Sequence, residues 1–525
     1  SLPGIEEEDL SLSRLDIVNN FHARMISSAI LAARSPNLEY VQLVSFGCGH
    51  DAYLSDEIIR LMKEISGKVP LVLKVDESDV QGPLHIRVRS FLETVSMRRE
   101  LEEIRVPQPL PDPYPVKFEK ADLDRTVLVP NTSHAFCQLL SAVFRSQGVR
   151  AVPLEIGREN AITMGKRYVH NDICFPAQVV IGEILSALKS GKYDLKNTAV
   201  AMAKYIGDCR LTHYSALLRK AMDDAGFAGV PILTNDDEDA HHIHPGFRLN
   251  LLSAARIAFG LPMIDALEEL LRKIRPYELE KGSTDRAFDQ AMAEVTGGMA
   301  KGGIHGAAKG FKKAIEIMKR PKYDRSKLRP RVLIVGEYLL NFHPGANHDI
   351  EDYLEKNGFE IVEARMTDVI QKTYFYQDRQ VKEQHVNRPV GKKLFYATAD
   401  HIFDMAHNMT DRIAADHPLY EKAARIQELA EEYGPYDAKA AAVDHNLHML
   451  GLRTDSMEEL TYPARKRVHN LKYYTWVEQQ GRTVEELDAL WYDTEHTWDA
   501  VHRQADALDE LINAFNEESG VLKSL

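Results

Sequence analysis

Residues 40–75, YVQLVSFGCGHDAYLSDEIIRLMKEISGKVPLVLKV, decide the fold class. The β-rich run at 40–46 ends in Gly47-Cys48-Gly49. Apolar residues at helical spacing follow over 55–65, and LVLKV at 71–75 reads as a buried strand. Strand, helix and strand at this spacing predict a parallel βαβ unit. Residues 126–129 open a second α/β unit, with a helix over 134–147 and a strand at 151–154. Cys174 and Pro176 precede a helix reaching Lys189. A strand at 198–205 leads to Gly207-Asp208-Cys209 and a helix reaching Ala225, and 230–233 is another strand. RVLIV at 331–335 starts a third unit, with a helix over 350–357 and a strand at 360–362.

The expected class is therefore α/β, with several Rossmann-like parallel-sheet lobes, helical insertions and a helical C-terminal module. Pro107, Pro109, Pro111, Pro113 and Pro115 crowd into nine residues and mark a linker. This gives an N-terminal α/β lobe over 1–115 with Cys48 and an α/β lobe over 116–248 with Cys174 and Cys209. A helical region over 249–328, an α/β lobe over 329–432 and a helical module over 433–525 follow. Six glycines between 297 and 310 break the helical pattern there and read as a loop. No GxxxxGK[ST] occurs in that stretch, so it is not read as a phosphate cradle. Trp476, Trp491 and Trp498 all fall in the last module, a shift in composition that sets it apart.

A chain of 525 residues can bury large cores without staples. Its net charge of −13, from 65 Lys and Arg against 78 Asp and Glu, argues against a nucleic-acid binder. No apolar run approaches the ~20 residues of a membrane span. The acidic start, residues 1–10, lacks the basic and apolar regions of a signal peptide. The expectation is a soluble cytoplasmic protein without nucleic-acid or membrane partners. The absent initiator Met suggests processing, a tag scar or a fragment.

Four cysteines, Cys48, Cys137, Cys174 and Cys209, are too few for a disulfide framework in a chain this long. Four buried apolar thiols are the plain alternative. Three of them share one layout, however. Cys48 follows a strand between two glycines, Cys209 follows a strand and a glycine, and Cys174 lies two residues before Pro176. Each falls on a turn at a strand's carboxyl end or a helix start. Helix N-termini present free N–H groups and a positive dipole end, which favour thiolate, the form that ligates metal. Those N–H groups also hydrogen-bond cluster sulfurs. No CxxC occurs, and 209 − 174 leaves 35 residues between Cys174 and Cys209, so a metal site must gather distant turns. Cys137 falls on an apolar-periodic helix face with Ala135, Phe136, Leu139, Leu140 and Val143, and reads as core.

The segments YVHNDICFPAQVVIGEILSALKSGKYDL (168–195) and GDCRLTHYSALLRKAMDDAG (207–226) resemble the 2-hydroxyacyl-CoA dehydratase superfamily. The similarity is greatest to the non-ATPase part of the large acyl-CoA dehydratase activase fusion proteins. SFGCGHDA (45–52) and LKVDESDVQGPLHIRVRS (73–90) look like the upstream segment of those fusions, and VGEYLLNFHPGANHDI (335–350) like a downstream one. The resemblance implies an oxygen-sensitive 4Fe-4S cluster, or in related branches a double-cubane cluster. It implies an ATP-hydrolysing activator protein or domain that delivers single electrons, and an acyl-CoA or other small-molecule substrate. A ketyl radical of the 2-hydroxyacyl thioester would then lose water, making the chain a lyase or reductase component. Carried over by motif, Cys174 and Cys209 are cluster ligands and Cys48 is the third. No catalytic residue is assigned. No ATPase nucleotide signature is present, so the activator is another chain or a part outside this sequence. A non-catalytic electron-relay or assembly protein of such a system is the alternative.

ELTYPARKRVHNLKYYTWVEQQGRTVEEL (459–487) and DELINAFNEESGVL (509–522) resemble instead the C-terminus of pyridoxal-phosphate-dependent cysteine-synthase-like proteins. No cofactor-lysine region precedes them, so no pyridoxal chemistry is carried over. A packing or oligomerisation module, as in a homo-oligomer, is the reading.

Other polar groups are weighed beside these. His50 beside Cys48, His170 and Asn171 before Cys174, and Arg210 beside Cys209 are substrate-binding candidates, with helix caps and local ion pairs as the alternatives. Asp51 shares the reading of His50, and Asp172 that of His170. The run Asp236, Asp237, Glu238, Asp239, His241, His242 and His244 reads as a metal site or a solvated loop. Arg87 and Arg89 alternate on a strand or helix start. His343, Pro344, Asn347 and His348 form a polar turn that could face a ligand.

Overall fold

The computed structural model describes residues 5, 8–17, 20–44, 51–75, 81–100, 107–170, 173–204, 210–235, 241–371 and 390–425. Helix α1 (Asn20–Arg34) leads into β1 (Val41–Val44), α2 (Asp51–Ser66) and β2 (Leu71–Lys74). β1 and β2 pair in parallel, Val41 opposite Leu71 and Val44 opposite Lys74, giving the βαβ unit expected from residues 40–75. Ile26 and Ile30 of α1 and Ile58, Leu61 and Met62 of α2 are fully buried together. Lys68 turns its ammonium inward onto the carbonyls of Ala32, Ser35 and Leu38, at 2.9, 2.5 and 2.7 Å. Carbonyls freed where α1 ends thereby find donors. Arg87 and Arg89 lie exposed on α3 (Gln81–Glu100), so that stretch is helix and not strand.

The second lobe is built from β3 (Thr126–Val129), α4 (His134–Arg145), β4 (Arg150–Pro153), α5 (Glu159–Tyr168), α6 (Phe175–Lys189), β5 (Thr198–Ala201), α7 (Tyr214–Asp224) and β6 (Ile232–Leu233). Its four strands form one parallel sheet in the order β4-β3-β5-β6. Successive side chains leave opposite faces. Val127, Val129, Ala199 and Ala201 pack with Cys137 and Phe144 of α4, whereas Leu128, Val200 and Ile232 join a core with α6 and α7. Both faces are covered, as an all-parallel sheet requires. The chain leaves β3 for β4 on one side and reaches β5 on the other. Such a reversal opens a crevice at the strands' carboxyl ends, where ligands bind in open α/β sheets.

Helices α8 (Leu251–Ile274) and α9 (Ser283–Met318) pack on α4. The glycine stretch at 297–310, expected as a loop, is helical apart from a reversal at Gly303, with φ of 58°. The two halves of α9 fold back on each other. A Cβ on Gly298 would stand 2.3 Å from Gly306 O, and one on Gly310 would stand 2.2 Å from Glu294 O. The glycines are there for close backbone approach, and for positive φ at Gly303. Strands β7 (Arg331–Ile334) and β8 (Glu360–Glu363) form a two-stranded sheet, with α10 (Tyr338–Phe342) and α11 (Ile350–Lys356) between them and α12 (Val390–Ala414) beyond.

Contacts divide the chain into two units. One comprises Ser1–Val332, Leu339–Val362 and Met405–Tyr420, and the other Leu333–Tyr338, Glu363–Asp404 and Glu421–Leu525. Cys174, Tyr53, Tyr214, Glu183 and His343 all belong to the first. The module expected over 433–525 lies outside the described residues. Among the described residues no helix is long and apolar enough to cross a membrane.

Two tests follow from packing and charge. Gly298→Ala should cost about 1–3 kcal/mol through overpacking. Its neighbour Gly297 faces open space, so Gly297→Ala should instead stabilise by roughly 0.5–1 kcal/mol. Urea unfolding of the two variants checks this, and equal effects would contradict the hairpin. On α8, burial pushes the Glu268 carboxyl up to about 7, opposed by Arg272 and reinforced by Asp265 and Glu351. Arg275 and Glu355 complete this cluster. With its folded-state affinity for the proton raised, Glu268 contributes stability that is lost as pH rises from the unfolded value of 4.5 through about 7. Glu268→Gln should flatten that slope in unfolding curves taken between about pH 5 and about pH 8.

Candidate functional site

Helices α5 and α6 form an antiparallel hairpin held at backbone contact. A Cβ on Gly165 would meet Gln178 O at 1.8 Å, and one on Gly182 would meet Ala161 O at 1.9 Å. The turn of this hairpin ends at Cys174, the N-cap of α6, with Pro176 in the helix's first turn. That is the position read from the sequence. The Cys174 carbonyl accepts from Ala177 N at 3.1 Å and Gln178 N at 3.4 Å. Its half-buried sulfur lies 3.0 Å from Tyr214 Oη and 3.5 Å from Tyr53 Oη. Tyr53 sits in the first turn of α2, and Tyr214 opens α7. The buried His213 ring stands 5.2 Å from that of Tyr53. The starts of α2, α6 and α7 thus converge on one sulfur.

The structure brings only part of the predicted set onto view. Cys48, Cys209, His50 and Asn171 lie outside the described residues. His170 is exposed, and its carbonyl accepts from Ile173 N at 3.0 Å. Arg210 opens a short 3-10 turn, Arg210–His213, and is half-buried. Cys137 is core: it is 1% exposed, its thiol donates to Val129 O at 3.1 Å, and burial raises its pKa far above the usual thiol range. Among the described residues no group of three or more His, Cys, Asp or Glu is arranged to hold a metal ion.

Two polar stretches take structural roles. His244 is buried, with one ring nitrogen 2.8 Å from Thr234 Oγ1 and the other 3.1 Å from Phe247 O, and His241 packs its ring against Tyr114. His244 thus spends both ring nitrogens on internal partners, and both histidines are buried and not part of a solvated loop. Residues 236–240 lie outside the described residues. The turn expected to face a ligand is anchored inward. Asn347 Nδ2 donates to Leu340 O, and its Oδ1 accepts from Ile350 N. His343 is fully buried, and its Nδ1 accepts from Ala346 N at 3.1 Å. That bond assigns the proton to Nε2, which donates to Glu183 Oε1 at 3.0 Å.

Glu183, one residue past Gly182, is 3% exposed. It also accepts from the backbone N–H of Asn131 at 2.8 Å and of Gly157 at 2.5 Å. The first follows β3 and the second follows β4. Beside this network lies a cavity of about 360 Å³, lined by Ile156, Gly157, Glu159, Ala161, Glu183 and Ser186. The volume is in the range of small-ligand pockets. Glu155 and Lys192, ion-paired at 2.9 Å, bring both signs of charge to it.

Tyr53, Tyr214 and Glu183 were not singled out by sequence reasoning. A signal for the tyrosines exists: Cys48 to Tyr53 (CGHDAY) and Cys209 to Tyr214 (CRLTHY) share the spacing Cys-x4-Tyr. A signal for Glu183 exists as well: it is the one charged residue between Phe175 and Leu188, inside the apolar run Val179-Val180-Ile181 and Ile184-Leu185, where a carboxylate must find internal donors. Comparison with family models, curated proteins and solved structures finds no match for this chain.

Glu183→Ala strips two buried N–H groups and His343 of their acceptor, and should cost on the order of 3 kcal/mol. Glu183→Gln, which keeps an acceptor oxygen, should cost less. Chemical unfolding of both variants measures this, and a neutral Glu183→Ala would remove the network from any structural role.

Proposed function

We propose that the chain is the iron–sulfur component of a 2-hydroxyacyl-CoA dehydratase-like or related ATP-coupled low-potential reductase system. One observation carries this reading: the Cys174 sulfur stands where the first turns of α2 and α7 meet it. Those helices are entered from the segments that hold Cys48 and Cys209, with Cys48 three residues before Asp51 and Cys209 directly before Arg210. The donor set fits the group. Thiolates are the ligands of iron–sulfur clusters, and helix starts supply N–H groups toward their sulfurs. Cys48, Cys174 and Cys209 would hold a 4Fe-4S cluster, or a double-cubane cluster, which when bound supplies one-electron transfer at low potential.

The rest of the proposed site belongs to the chain itself. The α5–α6 hairpin fixes the Cys174 backbone, and the hydroxyls of the buried Tyr53 and Tyr214 stand 3.5 and 3.0 Å from its sulfur. Arg210, permanently cationic, would attract a carboxylate or thioester oxygen, with His50, His170 and Asn171 as further substrate contacts. The electron would come from a separate ATP-hydrolysing activator.

Anaerobically prepared protein should be brown and carry about four irons per chain for a single cluster. Cys174→Ser and Cys209→Ser should each lose most of that iron, and Cys48→Ser should lose it or leave a labile cluster. Cys137→Ser should keep its iron and cost about 1 kcal/mol. Iron and sulfide analysis with EPR reads all four. Iron-free wild-type protein, or unchanged iron in every variant, would sink the proposal. Iron-loaded protein that dehydrates no 2-hydroxyacyl-CoA with activator, ATP and reductant would point to the electron-relay role.

A further inference from the structure

Strand β1 has an edge that no strand among the described residues fills, since it pairs with β2 alone. Leu71 N donates to Tyr40 O at 3.0 Å and Val75 N to Val44 O at 2.8 Å. By the alternation of a parallel ladder, Gln42 also turns its N–H and C=O toward β2, and Val41 and Leu43 turn theirs the other way, along the open edge. The Val41 and Leu43 side chains leave the face opposite Gln42, and the two residues are 50% and 68% exposed. Residues 40–47, YVQLVSFG, hold no charged residue and no proline, the usual devices that keep a strand edge from pairing. Gln42 is 2% exposed, yet neither its Oε1 nor its Nε2 has a hydrogen-bond partner. A buried amide with both ends unpaired is costly.

We propose that β1 is a self-association edge whose occupant is a second copy of this chain, the two β1 strands running antiparallel about a two-fold axis at Gln42. That axis sets Val41 opposite Leu43 of the partner subunit, and Leu43 opposite Val41 of the partner subunit. These are the residues with outward N–H and C=O groups, so both pairs are of the hydrogen-bonded kind. Gln42 faces Gln42 of the partner subunit in the closer, non-hydrogen-bonded position, with Cβ atoms ~4.5–5.5 Å apart. A primary amide both donates and accepts, so each Nε2 donates to the other copy's Oε1. The two-fold thus brings to each orphaned amide its own complement, which an unrelated strand supplies only by chance. Two chains of net charge −13 also meet here without like charges opposed across the strands. The product is a continuous four-stranded sheet, β2-β1-β1-β2. The inference is independent of the cluster reading.

Sedimentation equilibrium of the full chain across the micromolar range tests it, and the expected result is a reversible dimer. Leu43→Lys puts a charge at an exposed edge position, and Leu43→Pro removes an N–H that the β1–β2 ladder does not use. Both should keep the wild-type circular dichroism and shift toward monomer. Leu43→Pro deletes one edge bond per half of the contact and should weaken association on the order of thirtyfold. Under mild oxidation Gln42→Cys should cross-link to a second copy above the wild-type background, whereas Leu43→Cys, which faces Val41 of the partner subunit, should not. A dimer that both Leu43→Lys and Leu43→Pro leave intact would place the interface elsewhere and overturn the inference. A monomeric wild type would overturn it too. Hydrogen exchange at the Val41 and Leu43 amides then reads the edge directly: protection would assign it to another segment of the same chain, and fast exchange would leave it open.

Discussion

The carboxylate of Glu183 is what the carboxyl end of the second lobe is built around. A buried carboxylate is tolerated only when its oxygens are well supplied with donors. Here the donors are the N–H after β3, the N–H after β4 and the Nε2 of His343. Three separate chain segments are thereby pinned to α6. Gly182, the adjacent residue, brings the same helix into backbone contact with α5. One turn of α6 thus fixes both the sheet's edge and the hairpin that ends at Cys174. Neither contact has slack: a methyl group at Gly182 would meet a carbonyl at 1.9 Å, and an apolar side chain at Glu183 would orphan buried N–H groups.

Rigidity there matters for the thiol. A sulfur that must meet ligands from other segments needs a backbone that is already in place, because ordering each residue costs ~1–2 kcal/mol. Cys174 meets that condition through the α5–α6 contact and through the capping of its carbonyl by Ala177 and Gln178. The connections that carry Cys48 and Cys209 are short, six residues between Val44 and Asp51 and five between Lys204 and Arg210. Their far ends are tied down by Tyr53 and Tyr214 at the Cys174 sulfur.

The sequence made the strand–helix alternation legible because parallel strands buried on both faces read as short apolar runs. β3 and β5 are such strands, whereas β1, with Val41 and Leu43 exposed, was legible from its β-rich composition, and α6 begins where Cys174-Phe175-Pro176 placed it. Glycine misled. Residues 297–310 look like a loop by composition, but glycine there serves helix-to-helix contact, and a one-dimensional reading does not distinguish conformational freedom from lack of room. Polarity misled in a similar way at His244 and His343. Each imidazole spends both nitrogens on internal partners, one of them three residues away and the other 10 residues away for His244 and 160 for His343. Glu183 was missed for the same reason, its donors lying 26, 52 and 160 residues away.

The thiol environment combines both kinds of information. That Cys174 would stand at a helix start was readable locally, from a proline in the first turn. That the sulfur would be met by hydroxyls was not, since the two tyrosines are separated from it by 121 and 40 residues. The repeated Cys-x4-Tyr spacing gains meaning only when both tyrosines are seen at one sulfur. A five-residue offset carries a side chain from the turn after a strand into the first turn of the next helix. α2 follows β1 of the two-stranded sheet and α7 follows β5 of the four-stranded sheet, so the shared contact at Cys174 is made between lobes, and neither sheet alone turns the two local spacings into one contact.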